Sequence, residues 1–107
     1  EIRIMVNVIK NNDLTAAKAS KFAVIDFSAT WCNPCRMLAP VLEQVSEELA
    51  GEVDFFNCDV DANNASAIEF HISSIPAIVV LKDGQKIDMT VGFQPKESLK
   101  QFILSHK

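Results

Sequence analysis

Apolar and polar positions come in blocks along this chain, and the period changes from block to block. Residues 2–9 are apolar and β-branched, which predicts a strand. Residues 13–20 follow as a short helical stretch, with Asn12 or Asp13 expected as its cap. Residues 22–29, FAVIDFSA, are almost continuously apolar, the pattern of a strand buried on both faces, and one charge, Asp26, interrupts them. Met37, Leu38, Val41, Leu42, Val45 and Leu49 then recur at helical spacing, with Pro34 suited to the first turn and Gly51 to the end. Pro40 falls inside that stripe and predicts a kink rather than a stop, because the stripe continues past it. Residues 53–60 read as a strand, and Asp61 or Asn63 is placed to cap a helix running to Phe70. Residues 76–81 form another apolar strand, and Asp83-Gly84 is a hairpin turn into a strand over 86–91. Gly92 and Pro95 punctuate, and Leu99, Phe102 and Ile103 mark a closing helix.

The predicted order is therefore β-α-β-α-β-α-β-β-α. Early alternation implies right-handed parallel crossovers and the terminal hairpin adds antiparallel pairing. The expected fold class is α/β, a mixed central sheet of about five strands with helices on both faces. No repeat, low-complexity tract or linker interrupts the chain, so residues 1–107 are expected to form one domain.

Composition narrows the function classes. With 107 residues, 49% of them hydrophobic, the chain can bury a core without covalent staples. The net charge of -4 offers no electrostatic reason to bind nucleic acid or an anionic membrane. No apolar run approaches the roughly 20 residues of a membrane span. No signal-peptide pattern is present, although the chain begins at Glu1 rather than methionine. The expectation is a cytoplasmic monomer.

Two of the three cysteines, Cys32 and Cys35, are separated by only Asn33 and Pro34. A metal site would need further ligands such as Cys58, His71 or His106, but no second Cys-x-x-Cys or His pair exists. No metal site is expected. A structural disulfide across so short a loop contributes only about 2 kcal/mol by the chain-entropy estimate. Redox cycling explains more of the surroundings. The pair sits where a buried strand meets a helix N-terminus, whose unpaired N–H groups favour negative charge. Cys32 is expected exposed in the cap region with its thiolate stabilised, and Cys35 one turn further in and less exposed.

Asp26 has two readings. Its side chain could escape to solvent at a sheet edge. Alternatively, with Val24 and Ser28 on its face and apolar residues around it, the carboxyl is desolvated and its pKa raised. Pro76 could likewise be a proline merely tolerated at a strand start.

Asp26-Phe27, Trp31-Cys32-Asn33-Pro34-Cys35, Pro40, residues 59–61, Ile75-Pro76, Asp83-Gly84 and Gly92 together resemble the thioredoxin family over essentially the whole chain. The resemblance implies a thioredoxin fold and a protein-disulfide reductase with no bound cofactor. Its working group would be a reversible Cys32–Cys35 disulfide, with reducing equivalents from a thioredoxin reductase. Cys32 would attack a substrate disulfide and Cys35 would resolve the mixed disulfide, with Asp26 beneath the pair able to take the Cys35 proton. A cis peptide is implied before Pro76. Trp31, Pro34, Ile75, Pro76 and Gly92 would meet the substrate, with Val60 beside them and Phe93 either in that rim or in the core. Asn33 and Pro34 would tune the redox potential, and Pro34 favours reduction, since strongly oxidising relatives usually carry histidine there. Implied partners are disulfide-containing proteins and the reductase. This chain departs from the family at Asn33, usually glycine; at Asn57, a lysine in many bacterial members; and at Ala77, often threonine. Cys58 lies outside the pattern and reads as a buried apolar residue. The competing reading is a thioredoxin-like interaction module with incidental redox activity, which the intact Cys32, Cys35, Asp26 and Pro76 disfavour.

Overall fold

The computed structural model describes residues 6–107, so most of the strand expected over 2–9 lies outside the described residues. The elements are β1 (Val6–Val8), α1 (Thr15–Ala19), β2 (Phe22–Ser28), α2 (Asn33–Glu48), β3 (Asp54–Asp59), α3 (Asn64–Glu69), β4 (Ala77–Lys82), β5 (Gln85–Val91) and α4 (Lys96–Leu104). They follow the order the hydrophobic pattern predicts. The five strands form one sheet in the order β1-β3-β2-β4-β5. β3 runs parallel to β1 and β2, whereas β2–β4 and β4–β5 are antiparallel.

Alternation along β2 assigns the helices to their faces. Ala23, Ile25 and Phe27 point into a cluster with Leu14 and Ala17 from the α1 side and Ala67 and Phe70 from the α3 side. Val24 points the other way, onto Leu38, Leu42 and Val45 of α2 and Leu99 and Ile103 of α4. Every residue from Phe22 to Phe27 is buried, as expected of a central strand covered on both faces. Asp26 and Ser28 share the face of Val24 and so lie beneath α2.

α2 runs unbroken through Pro40, which sits on the exposed side. Its buried stripe is Cys35, Leu38, Leu42 and Val45. Met37, expected on that stripe, is 59% exposed, because a three-residue step puts it on the same side of the helix as the exposed Pro34. At the far end Glu48 accepts hydrogen bonds from Lys96 (2.9 Å) and Lys100 (2.8 Å) of α4. The hairpin turn places Asp83 (φ 51°) and Gly84 (φ 80°) both in the left-handed region, as a two-residue type I′ turn requires. Gly84 is constrained twice, since a Cβ there would meet the Lys18 carbonyl oxygen at 2.7 Å.

The caps differ from expectation. Asp13 does accept the Thr15 N–H at 3.0 Å, one residue ahead of the cap position Leu14. Asn12 serves α3 instead: its Oδ1 accepts the Ser66 N–H at 2.9 Å, while Asn63 Oδ1 accepts the Asn12 N–H at 2.8 Å. Asn63 occupies the α3 cap position, but its amide donates to the Ile9 and Asp59 carbonyls rather than serving its own helix. Neither Asp61 nor Asn63 caps α3 by its side chain, because a long-range neighbour takes the role. Such a swap needs the β1–α1 loop beside α3, and local spacing cannot reveal it.

Cys58 lies opposite Phe27 in the sheet, fully buried and unpaired. Burial first, then the charges of Asp59 and Asp26, push its thiol up to about 11. It is therefore an inert thiol at neutral pH. Cys58→Ala is expected to cost about 1–2 kcal/mol in denaturant unfolding and to leave the rate of thiol–disulfide exchange near wild type. A large loss of exchange would contradict the packing role.

Candidate active site

The end of β2 and the start of α2 build the site. Ala29, Thr30 and Trp31 turn the chain, and Cys32 takes the cap position of α2 in an extended conformation (φ −92°, ψ 110°). Its sulfur accepts the Cys35 N–H at 3.3 Å, and its carbonyl accepts the Arg36 N–H at 3.1 Å. Pro34 falls in the first turn, where the missing N–H would have had no helical partner. Cys32 and Cys35 are joined by a disulfide, with Cα atoms 5.2 Å apart. The helix N-terminus thus directs an N–H donor at Cys32 Sγ, a placement that favours sulfur as thiolate.

Cys32 is less exposed than its cap position leads one to expect, at 6%, against 3% for Cys35. Ala29 shares their apolar cluster, and the half-buried Val60 and Ile75 pack against it. The contrast expected between an exposed and a buried thiol reduces to which one terminates the helix.

The residues expected to meet the substrate differ sharply in exposure. Trp31 is 68% exposed, with its indole N–H donating to Asp61 Oδ2 at 2.8 Å. Sequence reasoning assigns Asp61 no such part, because its loop meets Trp31 only in the fold. Asn33 and Pro34 are exposed, and Ile75 is half-buried. The Ile75–Pro76 bond is cis, and the Pro76 carbonyl accepts the Gly92 N–H at 2.8 Å. Gly92 sits at φ 98°, a conformation reserved in practice for glycine. Phe93 is 43% exposed and so belongs to the surface rather than the core.

Asp26 is buried at 1% exposure, which excludes an escape to solvent. Its Oδ2 accepts the Asn57 amide at 3.4 Å, and its Oδ1 has no hydrogen-bond partner. Burial raises its pKa to about 7, the Asn57 hydrogen bond working weakly the other way. Asp26, Cys35, Asn57, Arg36 and Glu43 line one cleft of 380 Å³ beneath α2. A carboxyl that titrates near neutrality and a cysteine of the pair thus border the same space.

The residues weighed as metal ligands are dispersed. Cys58 is inside the sheet, and His106 Nε2 lies 2.8 Å from Asp88 Oδ2 near the C-terminus. Among the described residues no group of three His, Cys, Asp or Glu side chains could hold a metal ion. Nor, among them, is any helix long and apolar enough to cross a membrane.

The family model described as Thioredoxin matches residues 4–105. A thioredoxin from Staphylococcus aureus is 42% identical over 98 residues, covering 92% of this chain and 94% of that protein. Among solved structures, the thioredoxin of Malassezia sympodialis superposes with a TM-score of 0.85 at 41% identity, covering 97% of this chain and 92% of its own. A mutant thioredoxin from Halobacterium salinarum gives a TM-score of 0.84 at 31% identity, covering 92% of this chain and 88% of its own. Matched in sequence and in fold over nearly its whole length, the chain belongs to the thioredoxin family, and its Cys32–Cys35 pair makes it a thiol–disulfide oxidoreductase.

Proposed function

We propose that the protein's reduction of disulfides by dithiol–disulfide exchange is divided between Cys32 as attacking thiol and Cys35 as resolving thiol, with Asp26 as proton acceptor. The observation that carries this division is the Cys35 N–H donated to Cys32 Sγ at the start of α2. It stabilises negative charge on Cys32 and not on Cys35.

The Cys32 thiolate attacks one sulfur of a substrate disulfide; a Cys32–substrate disulfide forms and the other substrate sulfur leaves as thiolate. Cys35 then gives its proton to Asp26 and attacks Cys32 Sγ. The Cys32–Cys35 disulfide forms and the second substrate sulfur leaves as thiolate with the electron pair of the broken Cys32–substrate bond. The cysteine pair is thus oxidised and the substrate reduced by two electrons. Asp26 suits the second step because an acceptor works best with a pKa near the working pH. No bound cofactor is needed, since the electrons reside in the cysteine pair.

In this reading Trp31, Pro34, Ile75, Pro76 and Gly92 form the substrate-docking rim, with Ile75 packed against the cysteine cluster. An extended segment of the disulfide-containing protein lies along the Ile75–Pro76 edge, as in strand addition. Asn33 and Pro34 set the stiffness of the loop and thereby its redox potential. The partners are disulfide-containing proteins and a thioredoxin reductase, met by a single-domain monomer. A reducing cytoplasm would keep the pair supplied with electrons, and the net charge of -4 gives nucleic acid no hold.

Two expectations test these roles. Between its unfolded pKa of about 3.9 and its folded value near 7, Asp26 binds a proton in the folded state only. Stability contributed below that window is lost as pH rises through it, by on the order of 4 kcal/mol for a shift of that size. Asp26→Asn should therefore unfold at higher denaturant than wild type above pH 7, with the difference closing toward pH 4, while disulfide reduction slows about tenfold or more. Equal stability at pH 8 would contradict a desolvated carboxyl.

Cys35→Ser should accumulate mixed disulfides through Cys32 on non-reducing gels of a lysate, since a serine hydroxyl is too weak a nucleophile to resolve them. Cys32→Ser should trap little. Equal trapping by both variants would reverse or abolish the assigned division.

A further inference from the structure

Asn57 stands directly opposite Asp26 in the β2–β3 register, on the same face of the sheet, beneath α2. Its amide nitrogen carries two hydrogens. One is held by Ser28 Oγ at 2.9 Å. The other faces two oxygens of Asp26, the carboxyl Oδ2 and the backbone carbonyl, each at 3.4 Å. The short bond braces the amide, and the long pair lets it lean on the carboxyl without neutralising it.

A carboxyl oxygen that accepts an N–H cannot carry its own proton toward that donor. The acidic proton of Asp26 therefore belongs on Oδ1, the oxygen with no partner. We propose that Asn57 is a positioning residue for the proton transfer: braced by Ser28, it occupies Oδ2 of Asp26 and leaves Oδ1 to receive the Cys35 proton. This inference rests on Asp26 as proton acceptor. Without Asn57 the carboxyl is free to rotate and present either oxygen, and its ionised form loses the hydrogen bond that opposes burial.

The other titratable or charged groups around Asp26 are few. α2 brings Cys35, Arg36 and Glu43 to the shared cleft, and β3 brings Asp59 there and Cys58 beside it. β4 presents the apolar Ile78 opposite Asp26. Because Asn57 is neutral, it changes the availability of one oxygen without adding a charge that would hold Asp26 ionised at all pH values.

The test uses the full chain and two readouts: the carboxyl carbon resonance of Asp26 followed by NMR from pH 4 to 10, about the span over which it titrates, and single-turnover reduction of insulin over the same range. Asn57→Leu keeps the branched shape, is larger, and removes the donor. It should raise the Asp26 midpoint by about one unit, a tenfold weaker acid, and move the pH limb of the rate upward with it. The insulin concentration that gives the half-maximal single-turnover rate should stay unchanged, because Asn57 lies off the proposed docking rim. Ser28→Ala should shift the midpoint the same way by less, and should add nothing in the Asn57→Leu background, since the brace acts only through the amide. Asn57→Ala, smaller and without a donor, provides the same comparison if Asn57→Leu does not fold. An unmoved midpoint in a folded position-57 variant overturns the inference, as does a Ser28→Ala shift that adds in full. A pH limb that survives in Asp26→Asn removes the acceptor reading and this inference with it, whereas the unmoved midpoint removes this inference alone.

Discussion

Everything at the working end depends on the junction at which β2 stops and α2 starts. A helix N-terminus has unpaired N–H groups whatever its sequence, so some acceptor must be found for them. Here a sulfur, Cys32 Sγ, accepts the Cys35 N–H in the role usually taken by a hydroxyl or carboxylate. The junction has to be rigid for this to persist. Leu38, Leu42 and Val45 press α2 onto the sheet, and Glu48 ties its far end to Lys96 and Lys100 of α4. Those two ammonium groups pull the exposed Glu48 carboxyl down to about 2, Lys100 more than Lys96. The electrostatics of the thiol and the packing of the helix are thus one constraint seen from two ends.

The same packing creates the molecule's main internal conflict. Laying α2 over the sheet seals Asp26 beneath it, with one oxygen bonded and the other unpartnered. An apolar residue in that place would fold more stably, since nothing there compensates an ionised carboxyl in full. The fold tolerates the cost because neighbouring residues of β2 are wholly buried and keep the strand in register. The carboxyl, raised by burial to about 7, shares one cleft with Cys35, and a group of that acidity exchanges protons readily near neutral pH.

Elsewhere the surface follows the opposite principle and keeps apolar side chains in contact with water. Trp31 and Phe93 remain exposed while Val60 and Ile75 are half-buried against the cysteine cluster. The Trp31–Asp61 hydrogen bond fixes the indole although its face is in solvent.

Local composition determined a good deal by itself. Order and type of elements were legible because each block has its own pattern, a continuous apolar run for the central strands and a period of about 3.6 for α2. The Cys32–Cys35 pair was legible because its chemistry and its helix start are encoded within a few residues. The turn at Asp83-Gly84 was legible for the same reason, left-handed backbone being a local demand. Tertiary structure decided what depends on residues far apart in the chain. Asn12 caps α3 rather than α1, Asp61 holds Trp31, and Met37 faces water although it sits within an apolar run. Asp26 shows the boundary most clearly. Its sequence neighbours predicted desolvation, but Asn57, which reaches Oδ2 and leaves Oδ1 bare, stands beside it only through strand pairing. Periodicity reports which way a side chain points, whereas a hydrogen-bond partner on another element is fixed only when the sheet and its covering helices close together.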